Sequence, residues 1–114
     1  MKVSEFAALC GAKIVAGEGA DREIKSGYTC DLLSHVMGKG VMDMAWITVQ
    51  THMNVVAVAS LLDFSCVIIP EGITVDDTII EKANEEEIAI LLSDKNAYEL
   101  VSVMNENGIP AAKK

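Results

Sequence analysis

Apolar residues in this chain gather into short continuous runs, separated by segments with helical spacing. The densest stretch is Met44 to Gly72, MAWITVQTHMNVVAVASLLDFSCVIIPEG. Within it, Ala45–Val49 and Cys66–Ile69 are rich in β-branched and apolar residues and short enough to be buried strands. Between them Met53–Leu62 is apolar at nearly every position, Asn54 and Ser60 excepted. Such a helix is expected to be covered on more than one side. Two strands joined through a helix form a right-handed βαβ unit with parallel strands.

The rest of the chain can be read around that unit. Ser4 is placed as the N-cap of a first helix with Phe6, Leu9 and Cys10 inward, and Gly11 ends it. Ala12–Ala16 and Glu23–Tyr28 read as strands joined by a hairpin-type loop at Gly17–Asp21. The Gly17-x-Gly19 pair is no dinucleotide fingerprint, because no helix follows it. Thr29 or Asp31 is expected to cap a short helix with Leu32, Leu33, Val36 and Met37 on its apolar face and Gly38 as its stop. His35 falls on the polar side of that helix and reads as solvated. Beyond the central unit, Thr74 is placed as a cap with Asp77 in the capping-box position, and Val75, Ile79, Ile80 and Ala83 share a face. Ile88–Leu92 is the fourth core strand. Ser93 or Asp94 would cap a last helix with Ala97, Leu100, Val101 and Met104 inward. Strands alternating with helices predict an α/β domain, a three-layer α/β/α arrangement around a mainly parallel sheet. It is expected to occupy residues 1–110 as one domain, with Ala111–Lys114 a frayed tail.

Composition narrows the function. With 114 residues and 51% hydrophobic content the chain can bury a proper core. A formal net charge of −8 argues against nucleic acid and anionic membrane surfaces, both of which select clustered Lys and Arg. No apolar run reaches the length of a membrane span, and the N-terminus lacks signal-peptide features, so a cytoplasmic location is expected. Cys10, Cys30 and Cys66 are odd in number and form no CxxC pair, so no disulfide framework, metal site or cofactor is predicted.

Candidate chemistry concentrates where strands hand over to helices, the edge at which open α/β sheets bind ligands. The residues nominated there are Gln50, Thr51, His52 and Asn54, walled by Glu71, Gly72, Ser93 and Asp94. Helix starts near Thr51, Thr74 and Asp94 would present free N–H groups, which attract anions. A nucleotide or phosphorylated metabolite is the natural ligand, with Glu71 and Asp94 on sugar hydroxyls, a base or a metal bridging to phosphate rather than on phosphate itself. The plainer alternative is that Thr51 caps the helix and the others face water. Catalysis is not expected, since the chain carries no G-x-x-x-x-G-K-[ST], no G-x-S-x-G and no H-E-x-x-H run.

The order of elements, the segment AWITVQTHMNVVAVASLLDFSCVIIPEG and the later IAILLSDKNAYELVSVMNENG resemble a stand-alone DRTGG domain, the family similar to the N-terminal domain of HPr kinase/phosphorylase. At the position of the family's name-giving turn stands Gln50-Thr51-His52-Met53-Asn54, so no family binding residue is carried across. The resemblance implies a regulatory module without the kinase domain. The alternative is a protein-interaction module with no small-molecule ligand. The apolar circumference of Met53–Leu62, with small residues Ala57, Ala59 and Ser60, predicts a symmetric homodimer through that helix.

Overall fold

In the computed structural model, which describes residues 1–114, ten elements follow one another: α1 (Val3–Cys10), β1 (Lys13–Ala16), β2 (Ser26–Thr29), α2 (Leu33–Lys39), β3 (Met44–Ile47), α3 (Met53–Leu61), β4 (Cys66–Ile69), α4 (Asp77–Glu85), β5 (Ala89–Leu92) and α5 (Ala97–Glu106). The strands form one sheet in the order β1-β5-β4-β3-β2. β2 through β5 run parallel, and β1 closes the far edge antiparallel to β5. The expected α/β/α layering around a mainly parallel sheet is what the chain adopts.

Handedness places the helices. The steps β2-α2-β3, β3-α3-β4 and β4-α4-β5 all move in one direction across the sheet, so right-handed crossovers put α2, α3 and α4 on one face. Met44, Trp46, Val67, Ile69 and Ile90 point into that layer, where Trp46 meets the Phe64 ring edge-on at 5.8 Å. The alternate residues Ala45, Ile47, Cys66, Ile68, Ala89 and Leu91 point the other way. That second face is covered by the terminal helices α1 and α5, through Phe6, Ala7, Leu100 and Met104. Both faces being covered explains why β3 and β4 are buried at every position. No helix is long and apolar enough to cross a membrane.

Three expectations are corrected. Gly17–Asp21 is no hairpin, because β1 and β2 lie at opposite edges with three strands between them. A glycine-rich turn marks a change of direction but not the strand that will be met. The connection instead runs beneath the starts of the parallel strands, where Arg22 reaches Asp43, Asp63 and the Phe64 carbonyl. Helix caps are also displaced. Ser4 lies inside α1, and its N–H and hydroxyl donate to Asp21 at 2.9 and 2.7 Å. Asp76 rather than Thr74 caps α4, and Asn96 rather than Ser93 or Asp94 caps α5 with Glu99 completing a capping box. α2 starts without a side-chain cap and runs on through Gly38 to Lys39.

The third correction concerns α3. It is flanked by α2 and α4, so Val55, Val56, Val58 and Ala59 are all buried within the chain. Of the expected adhesive row, only Ala57 and Leu61 face outward, with Leu61 70% exposed. The segment read as a frayed tail follows the outer edge of β2. Gly27 donates to the Pro110 carbonyl, Ala112 donates back to Gly27, both at 2.9 Å, and Lys114 Nζ reaches the Gly38 carbonyl.

Candidate functional site

The C-terminal ends of the parallel strands carry two separate clusters. The first is organised by Asp31, just beyond β2. One carboxylate oxygen accepts from the Thr48 hydroxyl and from the Val49 N–H, each at 2.9 Å. Gln50 donates its side-chain amide to the Asp31 carbonyl at 3.1 Å and its N–H to the Thr48 hydroxyl at 3.2 Å. The loop leaving β3 is thereby tied to the loop leaving β2. His52, not Thr51, caps α3, its Nδ1 accepting from the Asn54 N–H at 3.1 Å. With Nδ1 as acceptor, a neutral ring carries its proton on Nε2 and offers that donor to solvent.

The second cluster joins the loops after β4 and β5. Glu71 and Gly72 both take positive φ, 64° and 70°, and Ile73 donates back to the Pro70 carbonyl. Two such residues at the centre of a four-residue turn give the type I′ pattern. The turn exposes its N–H groups sideways: Glu71 donates to the Lys95 carbonyl and Gly72 to the Ser93 carbonyl, both at 2.9 Å. Ser93 is buried, and its hydroxyl accepts from the Lys95 N–H at 3.1 Å. Asp94 Oδ1 lies close enough to Gly72 that a side chain there would press on it at 3.3 Å.

The nominated residues are thus grouped as Gln50–Asn54 on one side and Glu71, Gly72, Ser93 and Asp94 on the other. No cavity is lined by both groups. Gly72, Ser93 and Asp94 line a shallow cleft of about 250 Å³ shared with Gly11, Lys13 and Thr74. Asn54 lines a different, apolar groove with Leu33, Met37, Ala57, Val58 and Leu61. Gln50, Thr51, His52 and Glu71 border no cavity. Sequence reasoning missed Asp31 and Thr48 as partners of Gln50, and it missed Lys13, whose strand reaches the cleft only through the β1–β5 pairing. It also missed the largest cavity, on the α1/α5 face beside β2. The signal was Gly27, a glycine inside a strand, which marks a close approach.

The helix starts differ in charge. α4 begins with Asp76 as cap and Asp77 in its first turn, and α5 has Glu99 in its first turn. Hydrogen bonds from the Thr78 hydroxyl and the Ile79 N–H hold the Asp76 carboxyl below the usual carboxylate range, so negative charge already occupies that N-terminus. α3 alone of these three starts without an acidic residue. No group of three His, Cys, Asp or Glu side chains is placed to hold a metal ion. Cys10 and Cys66 are buried, and burial pushes both thiols up, away from reactivity.

No family model matches the sequence, and no curated protein matches it. Among solved structures, the chain is similar to the CBS and DRTGG domains of the regulatory region of Clostridium perfringens pyrophosphatase, with a TM-score of 0.70. The fold is shared with a regulatory region. Identity is 13%, and the match covers 98% of this chain and 50% of that one. The chain therefore spans half the length of that structure. That protein was crystallised with its activator, diadenosine tetraphosphate.

Proposed function

We propose that this protein is a non-catalytic regulatory module of the DRTGG type, sensing a nucleotide or phosphorylated metabolite at the C-terminal edge of its parallel strands. The observation that carries the reading is the fold shared with a regulatory region held in complex with a nucleotide activator. The local geometry supports the α3 start as the phosphate end. It alone among the helices following β3, β4 and β5 has no acid in its cap or first turn, and His52 adds an outward donor. Glu71 and Asp94 would face sugar or base, since they repel phosphate. The Asp31–Thr48–Gln50 bonds give a bound ligand a route to the neighbouring loop.

The test is a thermal-shift series with AMP, ATP and diadenosine tetraphosphate. A ligand at a hundred times its Kd stabilises the folded state by about 2.7 kcal/mol, a rise of several degrees in Tm. His52→Ala should weaken the response to phosphorylated ligands. No rise with any nucleotide or sugar phosphate would overturn the reading.

A second reading, a protein-interaction module acting as a homodimer, is favoured by the groove between α2 and α3. Its lining carries no charged side chain, and Met37 and Leu61 are exposed at its rim. Sedimentation at high concentration separates the readings. A dimer dissociated by Leu61→Lys would place the interface there, and a 12.2 kDa monomer would exclude it.

A further inference from the structure

The largest cavity belongs to neither edge cluster. It holds about 390 Å³ and lies between the outer edge of β2, the second half of α5 and the C-terminal segment. Its floor is apolar: Met104 and Ile109 are both buried, and Val101 forms the lip. Gly27 sets the depth of that floor. A Cβ at this position would stand 2.6 Å from Met104 Sδ, so a side chain here would displace the thioether that lies against the strand. Pro110 and Ala111 supply a second apolar wall, held by the two hydrogen bonds to Gly27.

Polar groups occur only at the mouth. The ladder between β2 and the C-terminal segment stops at the Gly27–Ala111 bridge. Thr29 is the next residue whose N–H and C=O point to that open edge, and neither has a backbone partner there. Its hydroxyl and the Asn105 amide are solvent-facing beside it. The Tyr28 ring packs into the opposite face of the sheet. None of the nine lining residues is ionisable except Tyr28, in a chain where 23% of residues are charged.

That combination selects the ligand class. A volume near 390 Å³ is within the range of about 300–1,000 Å³ typical of small-molecule sites. An extended peptide added to a sheet edge needs a row of backbone partners, and here a single residue, Thr29, is open. A phosphate finds no cation in the lining. A flat uncharged ring with adjacent donor and acceptor fits both the apolar walls and a mouth that offers the Asn105 amide and the Thr29 backbone. We infer that the cavity between β2, α5 and the C-terminal segment is a binding site for an uncharged heteroaromatic group of the nucleoside class. This rests on the ligand-sensing reading and moves its recognition of a base to a different place. Thr29 is two residues from Asp31, so a ligand seated there adjoins the contacts that position Thr48 and Gln50.

The experiment is a ¹H–¹⁵N NMR titration of the full chain with adenosine and, separately, with ATP. The amides of Gly27, Thr29, Val101, Asn105 and Ala111 should shift with both. The two affinities should agree within about threefold, because no charge lines the cavity. Val101→Trp, which fills the lip from a half-exposed position, should weaken adenosine binding by about tenfold or more without changing the unliganded spectrum elsewhere. If that variant fails to fold, Asn105→Leu removes a mouth group from an exposed site and should weaken binding several-fold. Shifts confined to Gln50–Asn54, with ATP much tighter than adenosine, overturn the cavity assignment and leave the ligand-sensing reading standing. No response to any nucleoside, nucleotide or sugar phosphate overturns both.

Discussion

Removing the Arg22 side chain should destabilise the protein by about 2 kcal/mol, a figure set by what the guanidinium touches. One terminal nitrogen donates to Asp63 Oδ1 at 2.7 Å and to the Phe64 carbonyl at 3.1 Å. The other donates to Asp43 Oδ1 at 2.6 Å and to the Asp63 carbonyl at 3.1 Å. The Asp63 side chain is 54% exposed, so its ion pair contributes only about 0.5 kcal/mol. The Asp43 side chain is 16% exposed, and a shielded charge-assisted bond of that kind is worth about 1.5 kcal/mol or more. Both aspartates sit at positive φ, 63° and 61°, an unfavourable backbone for a side-chain-bearing residue that the clasp helps to hold. The Arg22 side chain is itself partly exposed, and Lys25 at 3.4 Å partly compensates Asp43, which keeps the total at about 2 rather than the roughly 3–5 kcal/mol of a fully buried broken pair. Urea unfolding followed by circular dichroism should show Arg22→Ala lowering the midpoint by roughly 1–2 M with unchanged slope. Arg22→Lys should recover about half, since one ammonium cannot fork between two carboxylates. A loss below about 0.5 kcal/mol for the alanine variant would show that the clasp is an ordinary surface pair and refute the reasoning.

Gly17→Ala should be more damaging, by about 3 kcal/mol, because its Cβ would fall 2.4 Å from the Ile88 carbonyl carbon and oxygen while φ is +66°. The same urea series checks it, and a loss under about 1 kcal/mol would mean that the connection can withdraw from β5. Asn96→Ala should lower stability by about 1 kcal/mol through loss of the α5 capping box, and Asn96→Ser should restore most of it. The lowered Asp76 carboxyl predicts an acid limb. Its hydrogen-bonded contribution is complete above the unfolded carboxylate range, near pH 4, and is lost as pH falls through the lower folded value. Asp76→Asn keeps a cap but does not titrate, so the wild-type advantage over it should shrink only on acidification. An advantage unchanged from neutral pH to pH 2 would contradict this.

The alternation of short apolar runs with helical spacing was enough to place all five helices and the cores of β3, β4 and β5. Two-sided burial writes itself into composition: strands covered on both faces must be apolar at every position, and Met44–Ile47 and Cys66–Ile69 are. Gly11 at φ 67° ended α1 as read, because few other residues enter that conformation. Caps were less legible. Ser4, Thr74 and Ser93 are all cap-competent types, but Ser4 gives its own N–H to Asp21, Ser93 accepts from the Lys95 N–H ahead of α5, and Asp76 and Asn96 accept from the first-turn N–H groups of α4 and α5. Several cap-competent residues precede α4 and α5, and residue type alone does not choose among them.

What lay outside the sequence was adjacency. The hairpin reading of Gly17–Asp21 failed because a turn specifies a local path, while β1 pairs with β5 across the sheet from β2, an adjacency that no local pattern encodes. Burial of α3 was decided in the same way: its apolar circumference is real, but α2 and α4 cover it because three crossovers in one direction must share a face. The edge residues were found in sequence, and their division into two groups was not. Spacing along the chain sets which residues reach the end of a strand. The twist and order of the strands set which of those ends meet, and hydrogen bonds such as Asp31 to Thr48 exist only once β2 lies beside β3.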